Sequence, residues 1–465
     1  MRIENYIREI QMVMIFLLFL LFIIGMVFYK NKKLTDKVLC ILLISMGCVM
    51  RIGYTMYTGC EVRGHDIWYF SADSPGKAGY VLTILETGKL PQGYQLQFYQ
   101  QPLYFILGAC FSKVINMFTG ITDSYHLADT AKYVSCIASC LTLPLFARLC
   151  EAFAITEKNK VRALALVAFT PIFYQSAGRL GEESLFIFFV VAALFYTLRW
   201  EQRDSYKYTI LLAVIYGLGM MTKISMILPA IYTAYIFVKC FVSKKSRRKG
   251  LFLKYFVFAL ISLPLGLWFN IRNLVRFGQP LGYVLDLGHD SILYRGENSL
   301  FARFVGIDIL NLIRSPFADV TLDVNMPTYM LKGALFGEFS FETAQFIPVI
   351  LLFIHILITG YLLYLVCALL RNKERENKDR LIAVLYVSGL LFAFASYIVY
   401  PYSCSMNYRY FSYLVFSKAL LLGKSYTYRE NSLLLSLHVD RKVILDILLV
   451  LFCVFSIVMF VTIAE

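Results

Sequence analysis

The sequence predicts an all-α polytopic membrane protein: about 12 transmembrane helices, and one further helix near 102–118 that is re-entrant or interfacial. Three observations predict it. Of the 465 residues, 59% are hydrophobic and only 16% charged, where a soluble domain carries roughly 25% charged residues. Apolar runs long enough to cross a bilayer recur along the chain. The basic residues that give a net charge of +15 gather in short loops between those runs.

The candidate spans are 11–29, 37–56, 130–152, 161–178, 184–200, 208–222, 225–242, 252–270, 345–370, 381–399, 411–423 and 443–463. The first has acidic residues before it and no small-residue cleavage site after it, so it reads as a helix rather than a signal peptide. Basic loops at 29–37, 157–162, 244–249 and 371–380 follow the positive-inside pattern of cytoplasmic loops. That placement argues against a nucleic-acid partner and for membrane lipids. The eleven cysteines are scattered, with no CxxC pair, so neither a zinc site nor a disulfide framework is predicted. The expected organisation is a transmembrane core over 1–423, with outer loops 57–129 and 271–344. A cytoplasmic linker and a last transmembrane helix complete it over 424–465.

Loop charge also decides 102–118, "PLYFILGACFSKVINMF". Counting spans forward from the basic loop at 29–37 puts 57–101 outside. Counting back from 244–249 puts 119–129 outside as well. The segment then begins and ends on one face, introduced by Pro102 and broken by Lys113. The same count puts 178–184, Lys223 and 400–411 on the outer face, so a polar site is expected at the outer membrane–water boundary.

Several residues there can carry chemistry. Asp66 follows the second span in "CEVRGHDIWYF"; it is either a solvated loop acid or a base for an incoming nucleophile. His65 beside it is a second base, a hydrogen-bond donor or a plain loop residue. Glu182 and Glu183, in "GRLGEESLFIFF", either cap the following helix or hold a site together. Lys223, in "GLGMMTKISMILPA", splits two apolar runs with no acid near it in sequence. It is a snorkelling anchor or a ligand for an anionic head group. Arg272 and Arg409 fall at similar depths, so the three cations together suggest an anion pocket suited to phosphate. No Walker loop, GxGxxG, GxSxG or HExxH motif is present, and nucleotide-driven chemistry is unsupported.

Five segments in order resemble those of C-type (GT-C) membrane glycosyltransferases. "RGHDIWYF" followed by "FYQQPLYF" resembles their first outer loop, and "TPIFYQSAGRLGEESLFIFF" their second acidic motif. "GLGMMTKIS" resembles their Thr-Lys motif, "WFNIRNLVRFGQPLGY" a late W…RN stretch, and "MNYRYF" their RY motif. The likeness is to the dolichyl-phosphate-mannose–protein mannosyltransferase-like and aminoarabinose lipid A transferase-like branch. It implies a GT-C-like fold with a long first outer loop, in the cell membrane, with its site facing the extracytoplasmic side. It implies transfer of a sugar from a polyprenyl-phosphate carrier to a cell-surface glycan, lipid or protein. By that resemblance Asp66 and Glu183 match the catalytic acids, and Lys223 the contact to the carrier phosphate. Arg409, Arg272, Glu182, His65, Tyr410 and Gln101 fall with the substrate-binding set. Some relatives use a divalent metal, but the acids here are too few and dispersed to assign one; no other cofactor is expected. The competing class is a transporter or flippase of a polyprenyl-linked or anionic solute. It predicts paired repeats or Gly/Pro-broken helices, and no repeat is visible.

Epitope tags placed before residue 102 and after residue 118 should both report the same face of the membrane. Opposite faces would make the segment a span.

Overall fold

The computed structural model describes residues 6–68, 76–93, 96–285, 287–371, 377–426 and 441–463. Its helices, in chain order, are α1 (Ile7–Lys30), α2 (Asp36–Tyr57), α3 (Gly76–Thr87), α4 (Leu103–Thr119), α5 (Ser124–Thr130), α6 (Lys132–Ala152), α7 (Glu157–Phe169), α8 (Pro171–Ala177), α9 (Glu183–Gln202) and α10 (Tyr206–Thr222). They continue with α11 (Ile227–Ser243), α12 (Arg248–Phe277), α13 (Leu300–Phe304), α14 (Ile309–Arg314), α15 (Met326–Phe336), α16 (Phe346–Arg371), α17 (Asn377–Val399), α18 (Leu414–Ser425) and α19 (Arg441–Thr462). Among the described residues the only β pairing is an isolated bridge between Tyr294 and Tyr402.

Nine helical stretches among the described residues are long and apolar enough to cross a membrane: α1, α2, α5 with α6, α9, α11, α12, α16, α17 and α19. The chain is a multi-pass membrane protein. Three of the twelve expected spans are shorter helices. The stretch expected over 161–178 is divided between α7 and α8, because Pro171 has no N–H to continue the ladder and Thr170 before it is extended. α10 has 17 residues. α18 begins only at Leu414, after two 3-10 turns at 403–406 and 408–410. The long polar stretches also hold helices the sequence did not suggest, α3 in the first and α13 to α15 in the second. The linker expected after residue 423 lies, over 427–440, outside the described residues.

Lys113 does not break the helix near 102–118. α4 runs through it to Thr119 and stops at Gly120, which is left-handed. The buried residues of α4, Tyr104, Phe105, Gly108, Ala109 and Ser112, form one stripe. Lys113 lies off that stripe and is exposed, so it does not interrupt the face on which α4 packs.

The chain divides into two compact units. One comprises Tyr54–Ala152 and Gln175–Asp286. In it α9 is buried along most of its length and packs on α6, α10 and α11. Thr233 of α11 meets both Thr197 of α9, at 2.7 Å, and Tyr216 of α10, at 2.6 Å. Such polar contacts and close backbone approach hold helices together where lipid supplies no hydrophobic drive between them. The close approach is between α10 and α12: a methyl on Gly217 would meet Leu265 at 2.7 Å, and one on Gly266 would meet Met220 at 2.4 Å. At the far end of these helices Asp204 gathers Lys244, Arg247 and Lys254, taking up part of the basic cluster at 244–249.

The other unit comprises Met1–Gly53, Phe153–Tyr174 and Leu287–Glu465. Here α7 packs on α18 and α19, and α16 on α17, α18 and α19. The break at Pro171 leaves α7 carbonyls without helical donors, and buried Arg51 supplies two of them. Its guanidinium donates to Ala168 O at 3.0 Å and Val167 O at 3.2 Å, while Ser456 donates to Phe169 O. Leaving a buried carbonyl unmatched would cost about 1–3 kcal/mol, so the arginine on α2 is what makes the break tolerable. A second arginine, Arg295, donates to the carbonyls of Ile292, Tyr294, Val320, Thr321 and Asp323. It binds two segments of the second polar stretch, which the buried Lys332–Asp323 pair, at 3.3 Å, anchors to α15.

Candidate functional site

The first unit described above carries a buried ionic group built from three separate parts of its sequence. The loop after α2 comes first. Arg63 and Asp66 adopt left-handed conformations, with φ of 54° and 59°, which non-glycine residues seldom do. Main-chain contacts hold the loop there. The carbonyls of Asp66 and Ile67 accept the N–H groups of Lys77 and Ala78, at 2.8 and 2.9 Å. Two of the unpaired donors at the start of α3 are thereby satisfied. Gly76, with φ of +65°, makes the approach possible, since a methyl there would lie 2.5 Å from Ile67 O.

Helices α5 and α6 hold the other end of the loop. Asp129 accepts the Cys60 N–H at 2.8 Å and pairs with Lys132 at 2.7 Å. Lys132 also donates to Thr58 O at 2.6 Å. Tyr125 donates to Glu61 and stacks on Trp68 with ring centroids 5.7 Å apart. Burial, with Asp129 beside it, pushes the Cys60 thiol well above its ordinary value, so it stays protonated and unreactive.

The second part is the turn between α8 and α9. Ser135 of α6 donates to Gly181 O at 2.9 Å, and Tyr104 of α4 reaches Arg179 O at 3.5 Å. The turn ends in Glu182 and Glu183, both buried. Glu182 occupies the N-cap of α9 but its side chain caps nothing. It meets two lysines instead: Lys223 Nζ lies 3.3 Å from Oε1 and Lys77 Nζ lies 3.7 Å from Oε2. Burial and the neighbouring Glu183 push the Glu182 carboxyl upward, but Lys77 and Lys223 prevail and hold it below the usual carboxylate range. Glu183 closes on the same spot, since a methyl on Gly181 would lie 2.4 Å from its Oε2 and 3.2 Å from Lys77 Nζ.

Lys223 ends α10. Its backbone is extended, with φ −158° and ψ 128°, and a 3-10 turn follows into α11. The ammonium sits 5.9 Å above the Phe186 ring. The lysine that has no acid near it in sequence therefore has Glu182 as its partner in space.

Asp66, Glu182, Glu183 and Lys223 are thus linked. Asp66 bonds through its main chain to Lys77, Lys77 pairs with Glu182, and Glu182 pairs with Lys223. The Asp66 side chain is half-buried, as is His65. Gln101 is buried and donates to Asn270 of α12 at 2.9 Å. Arg272 is engaged elsewhere in this unit, donating to Pro91 O at 2.6 Å and Asn273 Oδ1 at 3.0 Å. Arg409 belongs to the other unit, where it pairs with Glu338 at 3.4 Å and donates to Tyr410 at 2.9 Å. The expected trio of cations is therefore three separately partnered residues.

A family model described as dolichyl-phosphate-mannose-protein mannosyltransferase matches residues 110–268. Over that stretch the chain is similar to a family of membrane glycosyltransferases. The match takes in the Glu182–Glu183 turn and Lys223, and leaves Asp66, Lys77 and Arg409 outside it. The solved structure of an Archaeoglobus fulgidus oligosaccharyltransferase in its apo form aligns with 91% of this chain at 14% identity and a TM-score of 0.47. The chain spans about half of that protein, 55% of its length. No curated protein matches the chain by sequence.

Among the described residues no group of three or more His, Cys, Asp or Glu is placed to hold a metal ion. Lys77 is the member of the group that sequence reasoning missed. Its signal is a lysine directly ahead of the apolar run "AGYVLTIL", in a stretch otherwise read as loop.

Asp129→Ala would leave Lys132 buried without its acid, at a cost of about 3–5 kcal/mol, and would release Cys60. Maleimide labelling of Cys60, scored against a Cys60→Ser control, should become faster in this variant. Unchanged labelling would mean that Asp129 does not hold the loop.

Proposed function

We propose that the chain transfers a sugar from a polyprenyl-phosphate carrier to an acceptor hydroxyl on a cell-surface glycan, lipid or protein. The site faces the extracytoplasmic side of the cell membrane. The observation that carries the reading is the buried Glu182 with a lysine at each oxygen, one of them Lys223 inside the mannosyltransferase-like stretch, joined through Lys77 to the backbone of Asp66. The reading takes as donor a hexosyl or pentosyl phosphate on a polyprenyl chain, supported by that similarity and by Lys223 over the Phe186 ring.

In this reading the acceptor oxygen attacks the anomeric carbon as the bond to the carrier phosphate breaks. The electron pair leaves with the phosphate, and Lys223 stabilises the charge that develops on it. The acceptor proton passes to the Asp66 carboxylate. Glu183 orients the site, and a single displacement inverts the anomeric centre. Arg272, His65 and Gln101 bind other parts of donor or acceptor. The first polar loop supplies the base because its left-handed turn is fixed by main-chain bonds before any substrate arrives.

Purified protein given a labelled polyprenyl-phosphate sugar should release free polyprenyl phosphate when acceptor is present. Accumulation of intact carrier across vesicles without release would favour a transporter or flippase. Asp66→Asn should abolish turnover while the protein still folds and inserts; retained transfer would remove Asp66 from the mechanism. Lys223→Ala should raise KM for the carrier about tenfold or more, as loss of a charged hydrogen bond does, and should change KM for the acceptor less.

A further inference from the structure

We infer that Lys77 is a second cation of the carrier-phosphate site, and that Glu182 is the anion this phosphate displaces from between Lys77 and Lys223. The inference rests on the reading that the chain binds a polyprenyl phosphate.

The two ammonium groups address opposite oxygens of a single carboxylate, Lys223 at Oε1 and Lys77 at Oε2. The pair therefore already receives an anion through its two terminal oxygens. Two non-bridging oxygens of a phosphate have nearly the same separation, and a phosphate brings more charge to the pair than a carboxylate does.

The Lys77 contact is also loose for so buried a charge. The side chain is 3% exposed, yet its acid is 3.7 Å away, beyond hydrogen-bond range. Other buried lysines in this chain lie nearer their acids: Lys132 to Asp129 at 2.7 Å, Lys160 to Glu157 at 2.8 Å and Lys332 to Asp323 at 3.3 Å. A buried ammonium is costly unless an anion compensates it, and Glu182 serves Lys77 and Lys223 at once, with Glu183 close beside Lys77. A phosphate taking the place of Glu182 would bring more charge to both lysines.

Position supports the same assignment. Lys77 is the second residue of α3, and its N–H is the group that binds Asp66 O. A phosphate drawn to its side chain would lie on the residue that fixes the backbone of the base. Leaving group and base would then be registered by one residue. No bond is made or broken in this step: the phosphate exchanges its hydrating water for the two ammonium groups, and Glu182 yields its place.

The test compares binding of a polyprenyl phosphate with binding of the polyprenol of equal chain length, using the full chain in nanodiscs. Wild-type protein should favour the phosphate; equal binding of the two overturns the carrier reading itself. Lys77→Gln should weaken phosphate binding about tenfold, the scale of a lost charged hydrogen bond, with polyprenol binding unchanged. Lys77→Arg should restore phosphate binding to within about threefold. Phosphate binding by Lys77→Gln equal to wild type, while Lys223→Gln loses it, overturns the inference and leaves the carrier reading standing. Parallel loss of phosphate and polyprenol binding assigns Lys77 a structural role and also overturns it. Glu182→Gln decides independently of whether Lys77 variants fold. Removing the resident anion should tighten phosphate binding, and weakened binding would show that Glu182 only positions the lysines.

Discussion

A carboxylate buried as deeply as Glu182 must be neutralised inside the protein, and this requirement organises everything around it. Charge taken out of water is stable only where opposite charge or hydrogen bonds meet it. Two lysines from distant parts of the chain are therefore drawn to one turn. Lys77 can reach it only because α3 starts where it does, and α3 starts there because the loop after α2 lends two carbonyls to its first turn. Lys223 can reach it only because α10 stops in an extended residue. The hydroxyls of Ser135 and Tyr104 hold the turn itself. Each device is small, and the pairing fails if any one of them moves.

The same logic governs the second unit in a different form. There the exposed valences are those of the main chain. Pro171 interrupts α7, and the carbonyls it strands are met by Arg51 from α2 and Ser456 from α19. Arg295 does the same for the irregular segments on either side of α13 and α14, gathering five carbonyls. In both units arginine or lysine substitutes for the water that a soluble protein would use at such places. Much of the positive charge is thus spent internally, and Asp204 shows that part of the basic loop at 244–249 is as well.

The spans were legible in the sequence because length and apolarity alone specify them, and the helices α1, α2, α9, α11, α12, α16, α17 and α19 fall where those runs are. Asp66, Glu182, Glu183 and Lys223 were legible as isolated polar residues at the ends of apolar runs. Their connections were not. Nothing in local sequence indicates that Glu182 partners Lys223, since pairing across helices leaves no periodic trace. Lys77 was hidden for the same reason, and because α3 is short and lies in a stretch rich in turn-forming residues. Lys113 misled in the opposite direction: a charge in an apolar run reads as an interruption, whereas on the exposed side of α4 it interrupts nothing. Grouping Arg272 and Arg409 with Lys223 by depth alone likewise missed that each already has its own partners.

The loop at 58–68 has one more consequence. Its principal ties to α3, α5 and α6 run through backbone atoms: Thr58 O, Cys60 N, Asp66 O and Ile67 O. A segment anchored by its main chain keeps its course when its side chains change. A position such as Val62 can therefore change without moving Asp66. Side chains on that face can diversify while Asp66 stays in register.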